Sequence, residues 1–231
     1  MAELKKEKVC VVIPAYNEEG RIARVAEKAR RLGYPVLVAD DGSSDKTAES
    51  AKAIGGVEVL TSGANRGKGA VLRSAFAWCL DKNFPALILM DADGQHDPAE
   101  LDAFLQALNQ GNFDIVVGNR MGNPEGMPLI RRATNRFLSW ILSGITGQAI
   151  PDSQCGYRAL KAAVLEATPL RTARFEIESE MLLEASRLGF RIGSVPIRSV
   201  YEGEKSQIRP LRDTFRFFRF LFSYLFSKKS P

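Results

Sequence analysis

The stretch Ala86-Leu87-Ile88-Leu89-Met90-Asp91-Ala92-Asp93-Gly94-Gln95-His96-Asp97-Pro98 decides how this chain is read. Its first half is a continuous apolar run with the length of a buried strand. Its second half is polar, contains Gly and closes on Asp-Pro. Alternate residues of an extended chain point the same way, so Asp91 and Asp93 converge where the strand stops, with Gln95 next in the same register. Hard oxygen ligands of this kind suit Mg²⁺ or Mn²⁺, which in turn bind the phosphates of a nucleotide. A competing reading makes the stretch a polar turn before a helix, with Asp97 as N-cap and Pro98 at the first helical position. That reading accounts for Asp97 and Pro98 and leaves Asp91, Asp93 and Gln95 without a task.

The flanking sequence repeats the same pattern. Residues 9–13, 36–39, 57–60 and 87–90 read as strands, with a fifth at 114–117, and helical patterns lie between them at 20–32, 45–54 and up to about 80. Strands alternating with helices predict a mostly parallel sheet wrapped by helices, an α/β fold. In such sheets ligands gather beyond the carboxyl ends of the strands. The polar clusters at 14–18, 40–44, 65–68 and 91–95 all fall at those ends. Beyond 117, Gly118-Asn119-Arg120 opens a loop rich in Gly, Pro and Met, suited to a lid or substrate loop. An amphipathic helix over 129–147 follows, with Arg131, Arg132 and Arg136 near its start.

With 231 residues and 45% apolar content the chain can bury a sizeable core. Cys10, Cys79 and Cys155 fit neither a zinc spacing nor a disulfide framework, the charged N-terminus lacks a signal peptide's apolar core, and a reducing cytosol is the expected compartment. No apolar run reaches the length of about 18 residues that a bilayer crossing needs. The net charge of +5 is modest, but Arg209, Arg212, Arg216, Arg219, Lys228 and Lys229 crowd the end of the chain and point to an anionic surface. Residues 211–226 hold six of the thirteen phenylalanines, with Arg212, Arg216, Arg219 and Ser223 on one helical stripe. A basic amphipathic helix of this kind suits the headgroup boundary of a membrane; the same pattern also fits packing on the domain or on a partner helix. The expected division is a catalytic domain over 1–208 and a membrane-associating tail over 209–231. Nothing in the chain reads as a fold for recognising nucleic acid.

The succession Val-Ile-Pro-Ala-Tyr-Asn-Glu-Glu at 12–19, Asp-Asp-Gly-Ser-Ser-Asp-Lys-Thr at 40–47, Asn-Arg-Gly-Lys-Gly at 65–69 and Asp-Ala-Asp-Gly-Gln-His-Asp-Pro at 91–98 resembles glycosyltransferase family 2. Within it, the segments 152–158 (Asp-Ser-Gln-Cys-Gly-Tyr-Arg) and 175–181 (Phe-Glu-Ile-Glu-Ser-Glu-Met) make the chain most similar to dolichyl- or polyprenyl-phosphate glycosyltransferases. The resemblance covers about residues 8–210. It implies a GT-A (Rossmann-like) fold, a nucleotide-sugar donor, a divalent cation, Mg²⁺ or Mn²⁺, and inversion at the anomeric carbon.

Carried onto this sequence, the resemblance places Pro14, Ala15, Tyr16 and Glu18 around the nucleoside, Asp41 on the base, and Arg66 and Lys68 on the diphosphate or ribose. Asp91-Ala92-Asp93 lies at the donor, and Asp91, Asp93 and Gln95 at the metal. Asp40 reads as a turn acid, because neighbours on a strand point to opposite sides. A lipid phosphate is ionised near neutral pH, so such an acceptor needs no positioned base, and His96 is not assigned as one. Catalysis then rests on positioning and charge neutralisation, with Asp93 and Arg120 as the expected catalytic residues and Arg120, Arg131, Arg132 and Lys205 at the acceptor. The order Glu204-Lys205-Ser206 departs from the mannosyl subgroup, where Ser precedes Lys, which bears on the donor sugar. Asp152 and Arg158 read as an internal ion pair. The expected activity is transfer of a sugar to a polyprenyl phosphate by a cytoplasmic protein peripherally bound at the membrane, alone, as a homo-oligomer or with a membrane-protein partner. Two alternatives stay open: a sugar or glycolipid hydroxyl acceptor, with Glu178 or Glu180 as base, and a nucleotide-binding membrane module without turnover.

Overall fold

In the computed structural model of the chain, residues 3–124, 126–198 and 210–227 are described, with side chains of the last segment described over 216–226. Four apolar runs become neighbouring strands of one sheet: β1 (Val9–Ala15), β2 (Val36–Asp40), β3 (Val57–Thr61) and β4 (Ala86–Leu89). β1, β2 and β4 are buried nearly throughout, as expected of strands covered on both faces, whereas β3 at the sheet's edge is only half-buried. Three more strands, β5 (Ile115–Asn119), β6 (Arg158–Lys161) and β7 (Ile192–Pro196), complete the order β3-β2-β1-β4-β6-β5-β7. β6 runs antiparallel to both of its neighbours, and every other pairing is parallel.

Among the described residues eight α-helices flank the sheet: α1 (Ile22–Arg31), α2 (Thr47–Lys52), α3 (Lys68–Asp81), α4 (Leu101–Asn109), α5 (Leu129–Thr146), α6 (Ala162–Ala167), α7 (Ile177–Arg187) and α8 (Pro210–Ser227). α1 shows why they form: Ile22, Val25, Ala26 and Ala29 recur at helical spacing and are buried, while its Arg and Lys residues face outward. Burying Ile22 and Val25 contributes about 1.5–3 kcal/mol each, and the alanines less. α8 is seated on the domain through Phe217 and Leu221, which join the hydrophobic core.

Two topological facts position the site. The chain leaves β3 at one edge and returns on the other side of β1 to form β4, so a crevice opens at the carboxyl ends of β1 and β4. β6, running the other way, pairs Arg158 with Leu89 on one side and Val117 on the other. The residues just before Arg158 therefore arrive at the edge where β4 and β5 end.

β6, β7 and α6 were not among the expected elements. β6 reads as polar, Arg-Ala-Leu-Lys, yet all four residues are buried, because Arg158 is satisfied internally and Lys161 pairs with Asp114 at 3.0 Å. β7 is a short edge strand containing Gly193 and Pro196, a composition that reads as a loop.

Candidate active site

The Gly-rich loop between β3 and α3 is held in place from β2. Both oxygens of Asp41 accept backbone N–H groups at 2.8 Å, one from Arg66 and one from Gly67. Gly67 has φ of +92°, and a Cβ there would run into the Ala173 carbonyl, so glycine is required twice over. The turn delivers Lys68 as the first residue of α3, with its ammonium pointed across the crevice. There Lys68 Nζ donates to Asp91 Oδ1 at 2.6 Å and to Glu178 Oε1 at 2.7 Å.

These charges govern one another. Burial alone would raise the Asp91 carboxyl, but the Lys68 ammonium, with His96 and Arg120 beyond, holds it down at about 2. Burial would likewise lower Lys68, and its two carboxylates outweigh that and keep it above the usual lysine range. His96 is almost fully buried and stacked on Tyr157; burial, more than any charge around it, pushes its pKa down. Its Nδ1 accepts the Asp91 backbone N–H at 3.2 Å, so this histidine shapes the loop.

Asp93 Oδ1 accepts the Gln95 backbone amide at 2.9 Å, and Asp91, Asp93 and Gln95 all sit half-buried on one loop. Among the described residues no group of three or more His, Cys, Asp and Glu side chains forms a complete metal cage. Two carboxylates and an amide oxygen nevertheless fit a Mg²⁺- or Mn²⁺-type ion, which is normally held by one or two carboxylates while phosphate and water fill the other positions. The ammonium 2.6 Å from Asp91 shows that positive charge is already drawn to this point.

The segments after β1 and β2 are laced together by short polar bonds. Glu18 N donates to Thr47 Oγ1 at 2.7 Å and Asn17 N to Ser43 Oγ at 2.9 Å, while Ser44 N donates back to Asn17 Oδ1 at 2.9 Å. Glu18 also accepts from Arg21 at 3.2 Å. Pro14 and Tyr16 are half-buried beside this lacing, Ala15 and Ala92 are buried, and Arg66 is exposed. Asp40 accepts from the amide and hydroxyl of Ser43, the task of a turn acid.

After β5, Asp152 pairs with Arg120 and not with Arg158. The guanidinium of Arg120 forks onto the carboxylate at 2.7 and 2.9 Å, and both residues are buried. Arg158 is fully buried and donates instead to the carbonyls of Cys155, Ser153 and Glu178. Glu180 is occupied by the amides of Arg171 and Thr172 and the Thr172 hydroxyl. Arg131 and Arg132 lie half-buried at the start of α5. Lys205 lies outside the described residues, as do the side chains of Arg209, Arg212, Lys228 and Lys229.

Sequence reasoning missed two features, Gly156 and the buried nitrogens of α5, and it gave Glu178 a different task, that of a base for a hydroxyl acceptor. A Cβ on Gly156 would overlap the Asp91 carboxylate, so this glycine lets the segment entering β6 close against Asp91. Glu178 is the second anchor of Lys68. Asn135 is buried on α5 with its Nδ2 unpartnered, and Arg132 Nε one turn away is likewise buried without a partner. The only signal for Gly156 was its place in the Asp152–Arg158 segment; Asn135 had none.

The sheet order and its loaded edge define a GT-A glycosyltransferase domain. Mannosyl-3-phosphoglycerate synthase from Rubrobacter xylanophilus superposes with a TM-score of 0.75 at 18% identity, over 95% of this chain and 74% of that one. The description "Glycosyl transferase family 2" fits residues 10–171, and the chain belongs to that family. It is 30% identical to the UDP-N-acetylglucosamine–dolichyl-phosphate N-acetylglucosaminyltransferase of Methanococcus voltae, over 84% of this chain and 86% of the relative. It is also 31% identical to the undecaprenyl-phosphate mannosyltransferase of Micrococcus luteus, over 84% of each.

Proposed function

We propose that this protein moves a sugar from a nucleotide-sugar donor to a polyprenyl phosphate at the cytoplasmic face of a membrane, with a divalent cation held by Asp91, Asp93 and Gln95. The observation that carries the reading is the adjacency of two unlike surfaces. α7, whose Glu178 holds the Lys68 ammonium, packs against α5, and α5 leaves Leu129, Ile130, Phe137 and Trp140 exposed, at 81%, 76%, 51% and 71%. Phe137 continues this face onto α8 through Phe218, with ring centroids 6.4 Å apart, and Phe222 extends it. α5 carries Arg131, Arg132 and Arg136 and no acid. No helix among the described residues is long and apolar enough to cross a membrane. An apolar face with basic flanks suits a helix pair lying in the headgroup region of anionic lipid.

The bound cation would supply charge to offset the departing nucleoside diphosphate. The chain's own residues do the rest. The Asp41-held loop and the laced segments at 14–18 and 43–47 fix the nucleoside, and Lys68 adds a cation at the diphosphate. On the acceptor side Arg132 and Asn135, with N–H groups to give, hold the attacking phosphate in line, and Arg120, forked onto Asp152, fixes the start of the loop. A hydroxyl acceptor would need a base, and the two candidates are committed elsewhere: Glu178 to Lys68 and Glu180 to a backbone turn. Relatives that act on undecaprenyl and dolichyl phosphate support the lipid acceptor. A fold neighbour crystallised with Mn²⁺ and UDP is consistent with the cation.

The test is incorporation of label from a panel of radiolabelled nucleotide sugars into lipid extract, with Mn²⁺ and undecaprenyl or dolichyl phosphate. At least one donor is expected to label the lipid. Failure of every donor with intact, folded protein would overturn the acceptor assignment.

A further inference from the structure

Lys68 joins the two halves of the crevice, and its partners are unequal. Glu178 is anchored: its carboxylate lies 3.7 Å from Arg158 Nη2, and Arg158 is wholly buried with its other nitrogens on main-chain carbonyls. Asp91 is the more exposed partner, with 27% of its side chain accessible against 11% for Glu178, and it is the one on the metal loop. The row Asp91, Lys68, Glu178 alternates in charge, and the ammonium occupies one oxygen, Oδ1, of the carboxylate to which a divalent ion would come.

A divalent ion arriving at Asp91 meets the Lys68 charge at short range, where like charges repel strongly in a partly buried site. Asp91 cannot serve both at full strength. Lys68 can give up Asp91 without being left unpaired, because Glu178 still holds it. We propose that Lys68 is a built-in competitor of the divalent cation for Asp91, and that Glu178 is the positioning residue that retains the displaced ammonium and so sets how tightly the ion binds. The metal alone is then a poor ligand. With a nucleoside diphosphate present, the retained ammonium faces the phosphates, and competition becomes cooperation. The proposal rests on the reading of Asp91 as a metal-side carboxylate.

Binding of Mn²⁺ alone, read from loss of the free-ion electron paramagnetic resonance signal, tests it without turnover. Lys68→Met is expected to bind Mn²⁺ about 5-fold or more tightly than the natural protein, and UDP in the presence of Mn²⁺ more weakly, two shifts of opposite sign that simple damage to the fold does not produce. Glu178→Gln is expected to weaken Mn²⁺ binding about 5-fold beside Lys68, and no more than about 2-fold in the Lys68→Met background. Lys68→Gln serves in place of Lys68→Met if the latter unfolds. Unchanged or weaker Mn²⁺ binding in both Lys68 variants overturns the competition. An equal effect of Glu178→Gln in both backgrounds overturns the positioning role. If no variant binds Mn²⁺, or if Asp91→Asn binds it as well as the natural protein, the metal reading of Asp91 itself falls.

Discussion

The donor side of the crevice and the α5–α8 side are built in opposite ways. On the donor side nearly every polar group named is answered at short range: Asp41 by two loop amides, Asp40 by Ser43, Glu18 by Thr47 and Arg21, Asp91 by Lys68. On the other side α5 and α8 leave large apolar residues in the open, and two buried nitrogens on α5 lack partners. The difference teaches that the first region is preorganised to receive a small charged ligand at little cost in reordering, while the second, among the described residues, keeps an apolar face uncovered, as the proposed lipid contact requires.

The sharpest break comes where the two regions meet. Asp152→Ala would take from the buried Arg120 guanidinium the carboxylate it forks onto, and is expected to cost about 3–5 kcal/mol in denaturant unfolding. A loss under about 1 kcal/mol would show Arg120 to be solvated and the two sides to be mechanically separate. Asp91→Asn is expected to lower transfer to polyprenyl phosphate about 10²- to 10³-fold, through kcat. An unchanged rate would deny the donor side its charge-handling role. Gly156→Ala forces a methyl group against the Asp91 carboxylate, with an expected cost of about 1–3 kcal/mol in thermal unfolding and a parallel loss of activity. If it is neutral, the close approach of β6 to the metal loop is not what fixes Asp91. The smallest effect on folding belongs to the exposed face: Trp140→Ser with Phe222→Ser should leave stability within about 0.5 kcal/mol. Cosedimentation of the same variant with anionic phosphatidylglycerol vesicles should fall about tenfold, since two exposed aromatic anchors are lost. A drop in stability with vesicle binding intact would mean that these residues pack on protein instead.

How far the two regions could be read in advance also differs. The donor side was legible because its strands are long apolar runs and its ligands lie within a few residues of each strand end, so local periodicity carries the placement. The other edge depended on distant pairings. β6 hid behind Arg158 and Lys161, charged residues that read as surface and are buried only because carbonyls of 153, 155 and 178, and the carboxylate of Asp114, are brought to them. The expected Asp152–Arg158 pair illustrates the same limit: residues close in sequence were matched to each other, while the fold gave Asp152 to Arg120, 32 positions away.

What the sequence by itself determined is the alternation of strands and helices, the edge on which ligands gather, and the Asp91-Ala92-Asp93-Gly94-Gln95 turn at its centre. Each follows from backbone geometry acting over a few residues. Only the tertiary structure decided what those carboxylates face. Lys68 reaches Asp91 across 23 positions and Glu178 across 110, and a charge that is strong at under 3 Å leaves no trace in either local pattern.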